Sequence, residues 1–145
     1  MIEVVDSNNL EQLLPLVRLY QEFYGVASIS DQKNREFFAQ FGPNQPGGCQ
    51  FLYQDGQAAA FATVYFTFAS TIPAKVGVMN DLFTLPEHRG KGIAKQLIQH
   101  CHDYALAQGA HRLQWLTAKD NTAAQAVYDN LEVRKSEWYF YALHR

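Results

Sequence analysis

One stretch of the chain combines residue types in an order suited to chemistry: Asp81-Leu-Phe-Thr-Leu-Pro-Glu-His-Arg89-Gly90-Lys91-Gly92-Ile93-Ala94-Lys95. A strand-like run (Leu82, Phe83, Thr84, Leu85) stops at Pro86, a basic turn follows, and a long amphipathic helix starts directly from it. The first turn of a helix leaves backbone N–H groups without partners and carries partial positive charge. Gly90 and Gly92 bring no side chain to keep a ligand off that backbone. Arg89 adds a cation beside it. The combination is an anion cradle, and its natural guest is a phosphate or pyrophosphate. Two familiar phosphate loops do not fit. A Walker loop needs an earlier glycine and a Ser or Thr after its lysine, where Gly92 follows Lys91; the dinucleotide fingerprint needs a glycine at position 95, where Lys95 stands.

The elements that must hold this turn follow from periodicity and breakers. Ile2 to Val5 reads as a first strand. Ser7 or Asn8 caps a helix carrying Leu10, Leu13, Leu14, Val17, Leu19 and Tyr20; Pro15 is expected to kink or divide it, and Gly25 ends it. Ser30 or Asp31 opens a second helix with Phe37, Phe38 and Phe41 on its apolar side. Gly42 to Gly48 is a turn-rich loop. Strands over Gln50–Gln54 and Ala58–Phe68 are joined at Asp55-Gly56, a hairpin signal. A loop over Ser70–Lys75 leads to a strand from Val76 to Leu85. The helix from Gly92 to Gln108 lines up Ala94, Leu97, Ile98, Cys101, Tyr104 and Ala105 on one face, and Gly109 stops it. Arg112–Thr117 is a strand, Asp120 or Asn121 caps a short helix with Ala124, Val127, Tyr128 and Leu131, and Glu137–Leu143 is an aromatic strand. The order β-αα-βββ-α-β-α-β describes an α/β fold built on one mixed sheet, as a single domain over residues 1–145.

Arg89, Gly92 and Ala94 fill the pattern Gln/Arg-x-x-Gly-x-Gly/Ala. Set between a strand and a helix, that pattern resembles the coenzyme A pyrophosphate loop of the GNAT superfamily of N-acetyltransferases, and the element order is similar over nearly the whole chain. The resemblance implies a mostly antiparallel sheet with helices on both faces. It implies that acetyl-coenzyme A is the co-substrate, gripped by Arg89, Gly90, Lys91, Gly92, Ile93, Ala94 and Lys95. Its acetyl-pantetheine arm would lie between two splayed strands, Val76–Leu85 and Arg112–Thr117, against Leu82, Phe83 and Thr84. The segment Asn121-Thr-Ala-Ala-Gln-Ala-Val-Tyr128 resembles the family's Asn-x-x-Ala/Ser-x-x-x-Tyr segment. There Asn121 and Ala124 would touch coenzyme A, and Tyr128 would lie near the sulfur and protonate the departing thiolate. Asn80-Asp81-Leu-Phe resembles the Glu-Asp-hydrophobic-Phe segment of the diamine and thialysine branch, with Asn80 where that branch has a glutamate that meets the substrate amine. Glu22 and Tyr24, in a region that supplies substrate contacts in the family, would line the acceptor pocket.

Acetyl transfer to an amine poses a proton problem. An ammonium of pKa near 10.4 is about one part in a few thousand neutral at pH 7, a cost of about 4–5 kcal/mol. Asn80 cannot accept that proton. A water chain ending on Asp81, Glu22 or Glu137 is the expected route, although plain strand alternation turns Asp81 to the face opposite Asn80.

Composition narrows the rest. With 12 basic and 14 acidic residues the chain lacks the basic face of a nucleic-acid binder. It has no apolar run of membrane-spanning length and no signal-peptide pattern, so a cytoplasmic location is expected. Cys49 and Cys101 are too few for a disulfide framework, and His100, Cys101 and His102 cannot converge on one helix face, so no metal site is expected. The acceptor is expected to be a small primary amine (polyamine, diamine or amino-acid derivative). A peptide lysine is the nearest rival, and a non-catalytic coenzyme A-binding module or a nucleotide-phosphate binder stands in reserve. A homodimer is expected from similar enzymes, with Trp138 to Tyr141 as sheet core or dimer edge.

Overall fold

Alternation along the central strands divides the apolar residues between two cores, one on each face of a sheet. A computed structural model describes residues 1–145. Five strands lie in sequence order: β1 (Ile2–Val4), β2 (Gly48–Gln54), β3 (Ala58–Ala69), β4 (Ala74–Thr84) and β5 (Leu113–Gln114). Every pair is antiparallel except β4 with β5, which is parallel. On one face, Leu52, Phe61 and Phe83 pack against Leu13, Leu14, Leu16 and Val17 of α1 (Leu10–Phe23) and Phe38 of α2 (Asp31–Phe38). On the other, Phe51, Ala60, Ala62, Val64 and Met79 pack against Ile93, Leu97, Ile98 and Cys101 of α3 (Ile93–Ala107). Tyr128 of α4 (Thr122–Asp129) and nearby Leu131 border this second core. Helices therefore cover both faces.

The helix ends follow their capping chemistry. Ser30 caps α2, its Oγ accepting from Lys33 N at 3.2 Å. Asn121 caps α4, its Oδ1 accepting from Ala124 N at 3.2 Å. The cap residue of α1 is Asn9 rather than Ser7 or Asn8. Pro15 does not divide α1, which runs as one helix of 14 residues. Pro15 is exposed in the second turn, where its missing N–H forgoes a single bond to the Glu11 carbonyl.

Two expected strands differ. Arg112–Thr117 narrows to Leu113–Gln114, and Glu137–Leu143 forms no strand. An extended segment becomes a strand only where a neighbour meets its N–H and C=O groups. The outer edge of β5 has no such neighbour, and residues 134–145 make no backbone hydrogen bond.

A bulge interrupts β4. Thr63 of β3 pairs with Asp81 and Val64 pairs with Met79, so Asn80 is the extra residue. It resets the alternation. Met79 and Leu82 both reach the α3-side core, while Phe83 reaches the α1 side.

Candidate active site

The turn after β4 has the form an anion needs. A short 3-10 turn, Pro86–His88, leads into Arg89, and α3 begins at Ile93. Gly90 (φ 79°) and Gly92 (φ 76°) are both left-handed, and no heavy atom lies within 4 Å of where either Cβ would stand. The backbone N–H groups of residues 90–95 donate to no acceptor in the protein; the first bond of the helix is from Gln96 N to Gly92 O, 3.2 Å. Donors left without an internal partner at a helix start can meet an anion. Arg89 is itself engaged within the protein. Its own N–H turns back to Pro86 O at 3.3 Å, and its Nε donates to Thr84 O at 3.0 Å. The N–H donors therefore begin at Gly90.

The turn is tied down from below. His88 is buried, with Nδ1 2.9 Å from Asp55 Oδ2 and Nε2 3.2 Å from Gln57 Nε2. Lys91 Nζ reaches the same Asp55 oxygen at 3.2 Å. The His88 hydrogen bond, then Lys91, holds the Asp55 carboxyl below the usual carboxylate range. The β2–β3 hairpin thus anchors the turn on both sides of Arg89.

Beside the cradle, β4 has a free edge. β5 pairs with it only at Gly77 and Val78, so the stretch from Met79 to Thr84, including Leu82 and Phe83, faces no strand on that side. An extended ligand can lie along such an edge as a peptide does.

Asn80 and Asp81 meet at the bulge. Asn80 is exposed, Asp81 is buried, and Asn80 Nδ2 donates to Asp81 Oδ1 at 3.1 Å. Plain alternation would separate the two side chains; the bulge brings them together, which corrects the expectation that Asp81 faces away. Burial pushes the Asp81 carboxyl above the usual carboxylate range, against the easing effect of the Thr63 and Tyr20 hydroxyls and the Asn80 amide. Gln50, Thr63 and Asp81 are consecutive partners across β2, β3 and β4, so they form a polar row under α1. The Gln50 amide and the Thr63 hydroxyl are buried without a partner of hydrogen-bonding geometry.

The phenols gather at the same place. Tyr20 packs edge-on against Tyr24, Phe61 and Phe83 at ring separations of 5.0, 5.6 and 6.0 Å. Burial raises the Tyr20 hydroxyl's pKa, with Asp81, Tyr24 and Tyr128 as charged-state neighbours. Tyr128 lies edge-on to Trp115 at 5.4 Å, and burial followed by Tyr24 raises its pKa too. A cleft of about 610 Å³ separates the end of α1 from the start of α4, lined by Phe23, Tyr24, Gly25, Asp120, Asn121, Thr122 and Ala123.

Most of the residues singled out in the sequence are thus brought together: the turn, the β4 edge, Asn80, Asp81, Tyr24, Asn121 and Tyr128. Glu22 is not among the cleft residues and pairs with Arg18 at 3.4 Å on the exposed side of α1. Glu137 lies on the unpaired C-terminal segment. Sequence reasoning missed Tyr20, Phe23, Asp55 and His88. Of these, Phe23 was within reach, being the aromatic next to Tyr24 at the helix end.

Known proteins resemble the chain in sequence and in fold. The profile described as the acetyltransferase (GNAT) family matches residues 13–132. An uncharacterized N-acetyltransferase, YhfO of Bacillus subtilis (strain 168), is 30% identical over 129 residues, covering 88% of this chain and 85% of that protein. A thialysine N-epsilon-acetyltransferase of Caenorhabditis elegans is 25% identical over 142 residues, covering 96% and 88%. The crystal structure of a probable acetyltransferase superposes with a TM-score of 0.85 at 27% identity, covering 100% of this chain and 97% of that one.

Proposed function

The chain belongs to the acetyltransferase (GNAT) family and is an N-acetyltransferase, and from that premise we propose that it moves the acetyl group of acetyl-coenzyme A onto the primary amine of a small molecule, by direct attack with both substrates bound. The observation that carries this reading is the run of unengaged N–H groups at residues 90–95 beside the open edge of β4. One feature grips a diphosphate, and the other extends the arm that follows it.

Acetyl-coenzyme A supplies an activated acetyl thioester. The chain supplies the rest. Gly90 to Lys95 hold the diphosphate through backbone donors, with Arg89 and Lys95 adding charge. The β4 edge at Leu82, Phe83 and Thr84 aligns the pantetheine and presents backbone donors to the carbonyl oxygen. Asn121 and Ala124 meet the coenzyme at the start of α4. Tyr128, whose phenol is protonated at neutral pH, gives its proton to the departing thiolate. Asp81, reached through water, takes the proton that the amine must lose, and its raised pKa makes it a stronger base than an exposed carboxylate.

The acceptor enters the cleft between α1 and α4. Its aromatic rim (Phe23, Tyr24) and the Asp120 carboxylate suit a cation, which supports a polyamine, diamine or amino-acid derivative and the diamine/thialysine branch. The enzyme is proposed to work as a single-domain homodimer in the cytoplasm; no helix is long and apolar enough to cross a membrane. Calorimetry with coenzyme A, and thiol release with a panel of free amines and lysine peptides, test the reading. Binding followed by release on free amines is expected. Release on peptides alone would overturn the choice of acceptor, and failure to bind coenzyme A would overturn the site.

A further inference from the structure

The turn that carries the free N–H groups commits its side chains inward. His88 Nδ1 lies 2.9 Å and Lys91 Nζ 3.2 Å from Asp55 Oδ2, and Arg89 Nε donates to Thr84 O at 3.0 Å. The main-chain donors of residues 90–95, by contrast, have no partner in the protein. A site of that kind grips through backbone amides, which cannot reach for a ligand as a long side chain can. Its affinity depends on how firmly the backbone is held before the ligand arrives. Two left-handed glycines, Gly90 and Gly92, work against this, because glycine has the most backbone freedom to lose.

The hairpin between β2 and β3 supplies what the glycines lack. A carboxylate only accepts, so the His88 ring carries a proton on Nδ1 and donates it to Asp55. In the neutral ring Nε2 then accepts from the Gln57 amide, 3.2 Å away. One ring is thus met at both nitrogens by two residues of one tight turn, itself closed by Asp55 N donating to Gln57 O at 2.9 Å. His88 is 9% exposed, so little water competes for these bonds. Lys91, with a half-exposed side chain, adds a weaker tie to the same Asp55 oxygen. The two ties flank Gly90, and the second stands directly before Gly92.

We propose that Asp55 and His88 are positioning residues for the coenzyme: through their hydrogen bond the β2–β3 hairpin presets the backbone donors of residues 90–95. This rests on the reading of that turn as the diphosphate site and adds what holds it ready. Both residues act through the turn, by limiting the conformations open to Gly90 and Gly92. The coupling runs both ways. Whatever factor the bond adds to coenzyme affinity, bound coenzyme adds to the closure of the hairpin tip, 33 residues away in sequence. Coupling through such a contact is worth about 3–30-fold in affinity.

The test is calorimetry with coenzyme A on the full-length protein, on Asp55→Ala, on His88→Phe and on the double variant, each first checked for folding by circular dichroism. His88→Phe keeps an aromatic ring and removes both nitrogens. Asp55→Ala is a change at an exposed position of the hairpin tip and decides the matter alone if the buried substitution does not fold. Each single substitution is expected to weaken binding about 3–30-fold, and the double variant is expected to bind no worse than Asp55→Ala, because the same bond is lost in both. Steady-state thiol release is expected to show the loss in KM for acetyl-coenzyme A, with kcat at saturation kept. In the parent protein, coenzyme A is expected to slow hydrogen exchange at the Asp55 amide by the same factor, and His88→Phe to abolish that slowing. Single variants that bind like the parent, losses that add in the double variant, a loss that falls on kcat instead of KM, or an Asp55 amide indifferent to coenzyme A would each overturn the positioning role and leave the coenzyme site standing. A parent protein that binds no coenzyme A overturns the site, and the positioning role with it.

Discussion

Replacing Gly92 by alanine separates the two things this residue does. Its φ of 76° lies in the left-handed region, where a side chain costs about 1–2 kcal/mol. No heavy atom lies within 4 Å of the new methyl group, so no clash adds to that cost. For a domain of this size the expected fall in melting temperature is about 2–8 °C. The second effect is local. The methyl group would stand beside the free N–H groups of Gly92 and its chain neighbours Lys91 and Ile93, where anionic oxygens must approach to about 2.9 Å. Losing one charge-assisted hydrogen bond costs about 1.5–3 kcal/mol, or about 10–100-fold in affinity for coenzyme A. Gly109 provides the control. It is left-handed too (φ 89°), nothing lies within 4 Å of its missing Cβ, and it sits at the opposite end of α3. Gly109→Ala should therefore lose similar stability and keep its affinity. Differential scanning fluorimetry gives the first quantity and isothermal calorimetry the second. Equal affinity in the two variants would refute the assignment of this turn to the diphosphate.

Three other outcomes follow from the same geometry. Tyr128→Phe should lower kcat by about 10²–10⁴-fold while KM for acetyl-coenzyme A stays nearly unchanged, as steady-state thiol release would show; unchanged turnover removes the acid role. Asp81 has a folded-state pKa raised by burial, so its charge opposes folding above that pKa, and the cost is recovered as pH falls through it. Asp81→Asn should thus raise the melting temperature at neutral pH, lose that advantage in acid, and remove the acid-side fall of kcat expected of the parent enzyme, which thermal scans and a pH–rate profile would measure. Leu97 is fully buried in the α3-side core, so Leu97→Ala should cost about 2–5 kcal/mol in urea denaturation without changing the coenzyme affinity of the folded fraction.

Parts of this architecture are legible in the sequence because they rest on local rules. Gly90 and Gly92 after Pro86 mark a turn whatever surrounds them, and the apolar spacing of Leu97, Ile98, Cys101 and Ala105 marks the buried face of α3. Features set by partners distant in the chain are not legible. The bulge at Asn80 depends on how β3 registers with β4, and nothing between residues 79 and 82 announces it. Arg89 reads as a phosphate ligand by charge, but the Thr84 carbonyl at the end of β4 also competes for it. Asp55 reads as a hairpin residue; its bonds to His88 and Lys91 join segments more than thirty residues apart. The aromatic run at 138–141 reads as a strand by its alternation, but a strand also needs a neighbour to meet its backbone, and the chain sets none beside it.

The bulge also bears on why Asn80 and Asp81 differ in kind. Without it, the side chain at 80 would point away from Asp81, and a carboxylate at either position would sit in its own environment. With it, both side chains share the α1 side within hydrogen-bonding distance. Two carboxylates so placed, one of them buried, could not both ionise near neutral pH; one pKa would rise sharply and the pair would share a proton. An amide at 80 avoids that conflict. It donates to the Asp81 carboxylate and offsets part of the desolvation that Thr63 and Tyr20 leave uncompensated. On this argument Asn80 joins Thr63 and Tyr20 in favouring the charged form of Asp81 against its burial. The base proposed above, Asp81, stands one residue along from position 80, beside Asn80 because of the inserted residue. Asn80→Asp should then raise the apparent pKa governing kcat instead of supplying a second base, and a pH–rate profile unmoved by that substitution would break the link between the bulge and the proton's path.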